Sequence, residues 1–185
     1  MDPLWVQAGA TVVLVGITIY YAFQVRKSNE NIWKLEEERI KKKKIGLRKL
    51  IISELIINET LWEEMVSEIE ETSQSHTKLK MVEIPEDTTY KSVVGTLGIL
   101  GEEEMRLIMF TYRILKDIGK TYKKIVESQV MFIGGSSIDV RLVKKLKIDI
   151  DEVSRFYNTL DKLYQKLYKG EIEERDIEEE IKNVY

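Results

Sequence analysis

Residues 4–23, LWVQAGATVVLVGITIYYAF, are twenty consecutive positions without a charge. At about 1.5 Å per residue, a helix of that length covers the roughly 30 Å hydrocarbon layer of a bilayer. A core helix of a water-soluble protein seldom stays apolar on every side for so long, so the segment reads as a transmembrane helix. Trp5 stands near one end and Tyr20 and Tyr21 at the other, where amphipathic rings prefer the headgroup level, and these three are the expected membrane anchors. A cleaved signal peptide would carry Lys or Arg before its apolar part and a small-residue cleavage site after it, and this segment has neither.

The flanking charges give the expected orientation. Asp2 precedes the span, whereas Arg26, Lys27, Lys34, Arg39, Lys41, Lys42, Lys43 and Lys44 follow it. The positive-inside rule then places a short N-terminus outside and the large C-terminal part in the cytoplasm, as in a single-pass protein of the cell membrane. About 160 residues remain after the span, an ordinary size for one domain. The expected division is a transmembrane anchor over 1–25, a charged juxtamembrane helix over 26–49 and a cytoplasmic helical bundle over 50–185.

Composition narrows the chemistry. With no cysteine, the chain has no disulfide, thiolate metal site or cysteine nucleophile. His76 is the single histidine, which removes two-histidine metal sites, and its polar surroundings suit an exposed loop. The formal charge of -3 divides into a basic block near the membrane and an acidic segment over 171–180, with nothing that calls for nucleic acid. No glycine cluster is followed by the Lys-Ser/Thr of a phosphate-binding loop, so Gly95, Gly98, Gly101, Gly134 and Gly135 read as turn chemistry. No catalytic, cofactor or metal site is expected.

Apolar spacing predicts an all-α fold, in which the transmembrane helix continues into a long helix and is followed by an antiparallel helical bundle. From Gln24 to about Glu71 there is no proline and one glycine. The weak point is Ser28-Asn29-Glu30-Asn31, whose short polar side chains compete for backbone hydrogen bonds, and a bend is expected there. Leu50-Ile51-Ile52, Leu55-Ile56-Ile57, Leu61-Trp62, Met65-Val66 and Ile69 then recur at three- and four-residue steps, which marks a helix buried on a wide face. A loop follows, running through Pro85, and Asp87, Thr88 or Thr89 can cap a short helix reaching Leu97. Glu102 opens the next helix, with an expected buried stripe of Met105, Ile108, Met109, Tyr112, Leu115, Gly119, Tyr122 and Val126. After the Gly134-Gly135 turn, Ser137 or Asp139 would cap a helix whose seam is Val143, Leu146, Ile150, Val153, Tyr157, Leu160, Tyr164 and Leu167. Gly170 ends it, and Ile172, Ile177, Ile181 and Val184 allow a short terminal helix.

Two constellations stand out. Lys41, Lys42, Lys43 and Lys44, with Arg48 and Lys49, could contact anionic lipid at about 1 kcal/mol per cation near the surface. On a straight helix, however, Lys41 lies about 27 Å beyond Phe23, against a screening length of roughly 8–10 Å. Lipid contact therefore requires the bend; otherwise the lysines form a solvated face paired with Glu36, Glu37 and Glu38. The second constellation is Glu54 and Asn58, which interrupt an apolar stripe at four-residue spacing and form a candidate buried polar pair. Buried polar groups need partners, and Tyr90, Tyr112 or Arg113 could supply them. A carboxylate-based site is the functional alternative.

The Ile-Tyr-Tyr-Ala-Phe end of the span, Ser-Glu-Leu-Ile-Ile-Asn-Glu in the next helix, and Tyr90-Lys91-Ser92 leading to Leu97-Gly98 and the Glu102 helix resemble prokaryotic single-pass, membrane-anchored helical proteins. These stretches cover about half the chain. The resemblance implies the architecture and carries no agreed activity. The expected role is a membrane-tethered helical interaction or scaffold module, touching lipid and a protein partner or a second copy of itself. A self-associating membrane sensor or effector is the alternative, and a carboxylate enzyme around Glu54 ranks third.

Overall fold

The computed structural model describes residues 3–75, 79, 82–83, 87–130 and 139–183. Every regular element among them is helical: α1 (Pro3–Ser75), α2 (Thr88–Val93), a 3-10 segment (Val94–Ile99), α3 (Glu102–Val130), α4 (Val140–Lys169) and α5 (Glu174–Lys182). The chain divides into two compact units, Met1–Lys43 and Lys44–Tyr185.

In the first unit α1 is long and apolar enough, by length and composition, to cross a membrane. Its described side chains from 7 to 43 are exposed throughout. The two threonines of the apolar stretch turn their hydroxyls inward: Thr11 donates to the Gln7 carbonyl at 2.9 Å and Thr18 to that of Leu14 at 2.8 Å. Neither hydroxyl then needs a partner from its surroundings, which suits an apolar solvent. Tyr20 and Tyr21 are exposed and meet edge to face, with ring centroids 6.1 Å apart. The Trp5 side chain lies outside the described residues, as do His76 and the Gly134-Gly135 turn.

The expected break at 28–31 is absent, and helical hydrogen bonding runs through it. Helix propagation gains a bond for each residue fixed, which outweighs the local competition of two asparagines and a serine. Arg26 and Glu30, one turn apart at 3.2 Å, span the weak point from outside.

In the second unit, contacts between side chains fix the helix directions. Arg48 meets Glu104 and Glu54 meets Tyr112, so α1 and α3 run parallel. Arg48 also lies over the Tyr164 ring, while Glu70 bonds Lys147, so α4 runs antiparallel to α1. The bundle is therefore not antiparallel at every pair. Its parallel pair is allowed by the long connection between Ser75 and Glu102, which returns the chain to the end where it started.

Leu47 and Arg48 are already buried, so the packed unit begins before position 50, where the apolar periodicity alone places its start. The α4 seam packs inward at Leu146, Ile150, Val153, Leu160 and Tyr164, and Phe156 and Leu163 widen it. Asp139 caps α4 by accepting from the Arg141 amide at 2.9 Å. At the other end Gly170 takes φ 73°, a left-handed conformation that glycine adopts without penalty, and donates to the Lys166 and Leu167 carbonyls.

Helix α3 departs most from its expected stripe. Leu107, Ile108, Thr111, Ile114, Leu115, Ile118, Thr121, Tyr122 and Ile125 are all buried, while Met109 is not. A helix in the centre of a bundle packs against neighbours on more than one side, so its apolar arc is wider than a single seam. Met109 points to the one arc left for solvent.

Candidate docking groove

Both members of the polar pair read from the sequence are buried, and Glu54 holds elements that line this site. Glu54 is 8% exposed and Asn58 1%. The Glu54 carboxylate accepts from the backbone amides of Thr89 at 2.6 Å and Tyr90 at 3.1 Å, and from the Tyr112 hydroxyl. Asp87, at the N-cap position of α2, makes no capping bond with its side chain. The start of α2 is instead closed by a carboxylate from α1, which supplies both the missing acceptor and a negative charge at the positive helix end. The Tyr90 and Tyr112 rings stack with centroids 4.3 Å apart, pinning α2 onto α3. Burial raises the Tyr112 pKa and Glu54 raises it further, so the phenol stays protonated and donates. Arg113, the other candidate partner, is exposed and takes no part. With three donors on it, Glu54 holds the start of α2 against α3.

The basic block divides. Lys41, Lys42 and Lys43 are exposed, in the first unit. Lys44 and Arg48 instead bind acids within the bundle. Arg48 grips Glu104 with two bonds of 2.7 and 2.8 Å, each partner 1% exposed, and reaches Glu174 at 3.2 Å, which Lys44 also binds. Burial alone would lower the Arg48 pKa, but Glu104 more than reverses this and keeps the guanidinium charged. The buried Tyr164 hydroxyl has no hydrogen bond of good geometry, although the nearby Glu104 charge adds to the rise that burial gives its pKa.

Helix α5 completes the start of α3. The Glu178 carboxylate accepts from the amides of Glu103 at 3.0 Å and Glu104 at 3.3 Å. It lies against Gly101 so closely that a Cβ there would overlap it. Only glycine leaves room for this cap.

On the outer arc of α3 these clamps frame a hollow of about 880 Å³. Its floor is Tyr90, Met109, Phe110 and Tyr112, and its rim carries Arg106, Arg113, Lys116 and Lys182 against Asp87 and Glu103. Met109 is 45% and Phe110 37% exposed. Both acids are taken: Asp87 binds Lys91 at 2.6 Å and Glu103 binds Arg106 at 3.3 Å. Among the described residues Arg113, Lys116 and Lys182 form no salt bridge. Asp87 and Lys116 also line a second hollow of about 260 Å³ with Lys91, Leu115, Gly119, Lys120 and Lys123, which extends the first along α3.

The groove residues are missed by reading one apolar stripe. The available signal is the complementary arc, where Arg106, Met109, Phe110, Arg113 and Lys116 follow steps of three and four with two large apolar residues among cations. Among the described residues no three metal-ligating side chains converge. An apolar floor with a cationic rim is an arrangement that can bind a ligand or a partner surface. No family model matches the chain, and no curated protein or solved structure is significantly similar to it.

Proposed function

We propose that this chain is a membrane-tethered interaction module, in which residues 4–23 hold the protein in the cell membrane and the cytoplasmic bundle recruits another protein. The observation that carries the proposal is Met109 and Phe110, large apolar side chains left open on a groove floor beside Arg113, Lys116 and Lys182, which form no salt bridge among the described residues. Exposed apolar surface rimmed by polar groups is characteristic of interaction sites. The test is site-specific photo-crosslinking in intact membranes at native expression, from Met109 in the groove and, elsewhere on the bundle surface, from Ile57 of α1 and Ile148 of α4, both exposed. Crosslinks to a defined second polypeptide support the proposal. It fails if the full chain is recovered without detergent in the soluble fraction, or if every bundle position yields only uncrosslinked monomer.

Self-association is a second reading with its own observation. Ile32, Trp33, Leu35 and Ile40 are large, apolar and exposed on the part of α1 beyond the apolar stretch. A crosslinker at Trp33 that joins two copies of the chain would favour it.

A further inference from the structure

We infer that the α3 groove takes an acidic amphipathic helix from a partner protein, a conclusion that deepens the interaction-module proposal by naming the chemistry of the partner. The shape argues for a helix. The two hollows share Asp87 and Lys116 and follow the outer arc of α3 from Arg106 to Lys123, a length of about 25 Å or four to five helical turns. A compact ligand would occupy one hollow, and a flat bilayer would touch the rim without filling either.

The charge argues for an acidic partner. The two hollows are lined by seven cations (Arg106, Arg113, Lys116, Lys182, Lys91, Lys120 and Lys123) and two acids, Asp87 and Glu103. With Glu102, Asp117 and Glu127, which pair with these cations from beside the hollows, the face still keeps an excess of two positive charges on a chain whose net charge is -3. In these local pairs Glu102 holds Arg106, Asp87 holds Lys91, Asp117 holds Lys120 and Glu127 lies near Lys123. Lys116, Lys182 and Arg113, whose charge also acts on Asp117, form no salt bridge among the described residues and are available to the partner. Carboxylates placed at helical spacing would reach them, while one apolar side chain per turn would settle on Met109 and Phe110. Methionine at such a surface adapts to differently shaped partners, which suits helix-in-groove recognition.

Apolar burial and charge contribute together, so binding must be selective and salt-dependent. The test uses the full chain in nanodiscs and a fluorescent helical peptide about four turns long, with leucine on one face and glutamate on the other. Its counterpart has every glutamate replaced by lysine. Fluorescence anisotropy is expected to give micromolar binding of the acidic peptide, at least tenfold tighter than the lysine peptide. Raising salt from about 0.1 M to 1 M, which shortens the Debye length from about 10 to 3 Å, should weaken it severalfold. Arg113→Glu with Lys116→Glu should abolish the preference, and Met109→Ser should weaken binding without changing the salt dependence. Lys162→Glu with Lys166→Glu, on the exposed face of α4, should change nothing. Equal binding of the two peptides, indifference to the α3 substitutions, or groove residues that respond to phosphatidylserine in the disc but not to peptide would each overturn the inference. If the peptide fails while the membrane crosslinks persist, the acidic-helix inference falls and the interaction module stands; if both fail, both fall.

Discussion

Replacing Arg48 by methionine removes the central cation of the bundle while keeping most of its volume. Glu104, 1% exposed, then loses two bonds of 2.7 and 2.8 Å and becomes a buried carboxylate without its guanidinium. Breaking one side of a buried pair costs about 3–5 kcal/mol, because the remaining ion has lost its water and gained nothing. For a unit of this size that is a fall in Tm of roughly 10–15 °C. The double variant Arg48→Met, Glu104→Leu removes both ions, and replacing a buried pair by apolar groups of similar volume is often close to neutral. It should therefore be more stable than Arg48→Met alone, with a coupling energy of about 2 kcal/mol or more. Thermal and urea unfolding of the detergent-solubilised chain, followed through the buried Trp62, measures all four corners of the cycle. A single variant within about 1 kcal/mol of the parent, or strict additivity, would refute the idea that desolvation governs this cluster.

Glu54→Ala should cost about 3 kcal/mol or more, because two backbone amides and a phenol lose one acceptor, whereas Tyr112→Phe removes a single donor and should cost about 1–2 kcal/mol. Urea unfolding of both variants checks the order, and the Glu54 variant should also bind the acidic peptide less tightly as α2 loosens. Gly101→Ala should cost about 1–2 kcal/mol by displacing the Glu178 cap, and almost nothing in a Glu178→Ala background, which unfolding of the double variant measures. Glu174 gives a pH signature: burial alone would raise its pKa, but Lys44 and Arg48 overcome this and hold it below the ordinary 4.5. A carboxylate with a lowered folded-state pKa contributes its full stability above about pH 4.5 and loses it as the pH falls through the lower value. Glu174→Gln should flatten that part of the stability curve, measured as Tm against pH from 6 downward.

The fold is legible where one residue type at one spacing has one outcome. The three-and-four alternation from Leu146 to Tyr164 can be buried on one helix face and in no strand, and the uncharged run at 4–23 has no counterpart elsewhere in the chain. The helical path through 28–31 is harder to read, since it depends on cooperativity along the helix rather than on those four residues. Glu54 is conspicuous as a carboxylate at apolar spacing, but its main partners are backbone amides at 89 and 90, which every residue except proline possesses. Arg48 reads as one more cation beside a lysine run. Its burial depends on Glu104, fifty-six positions away. Met109 falls on the wrong face for a similar reason: a helix with several neighbours can exclude a methionine from the core only because other residues already fill it.

Helices α2 and α3 both have their first amides closed by acids from distant parts of the chain, Glu54 and Glu178. Neither start is complete in a fragment that contains only its own helix. The Arg48 cluster and the first turn of α3 are therefore complete only when the segment bearing Glu174 and Glu178 is present and seated on them.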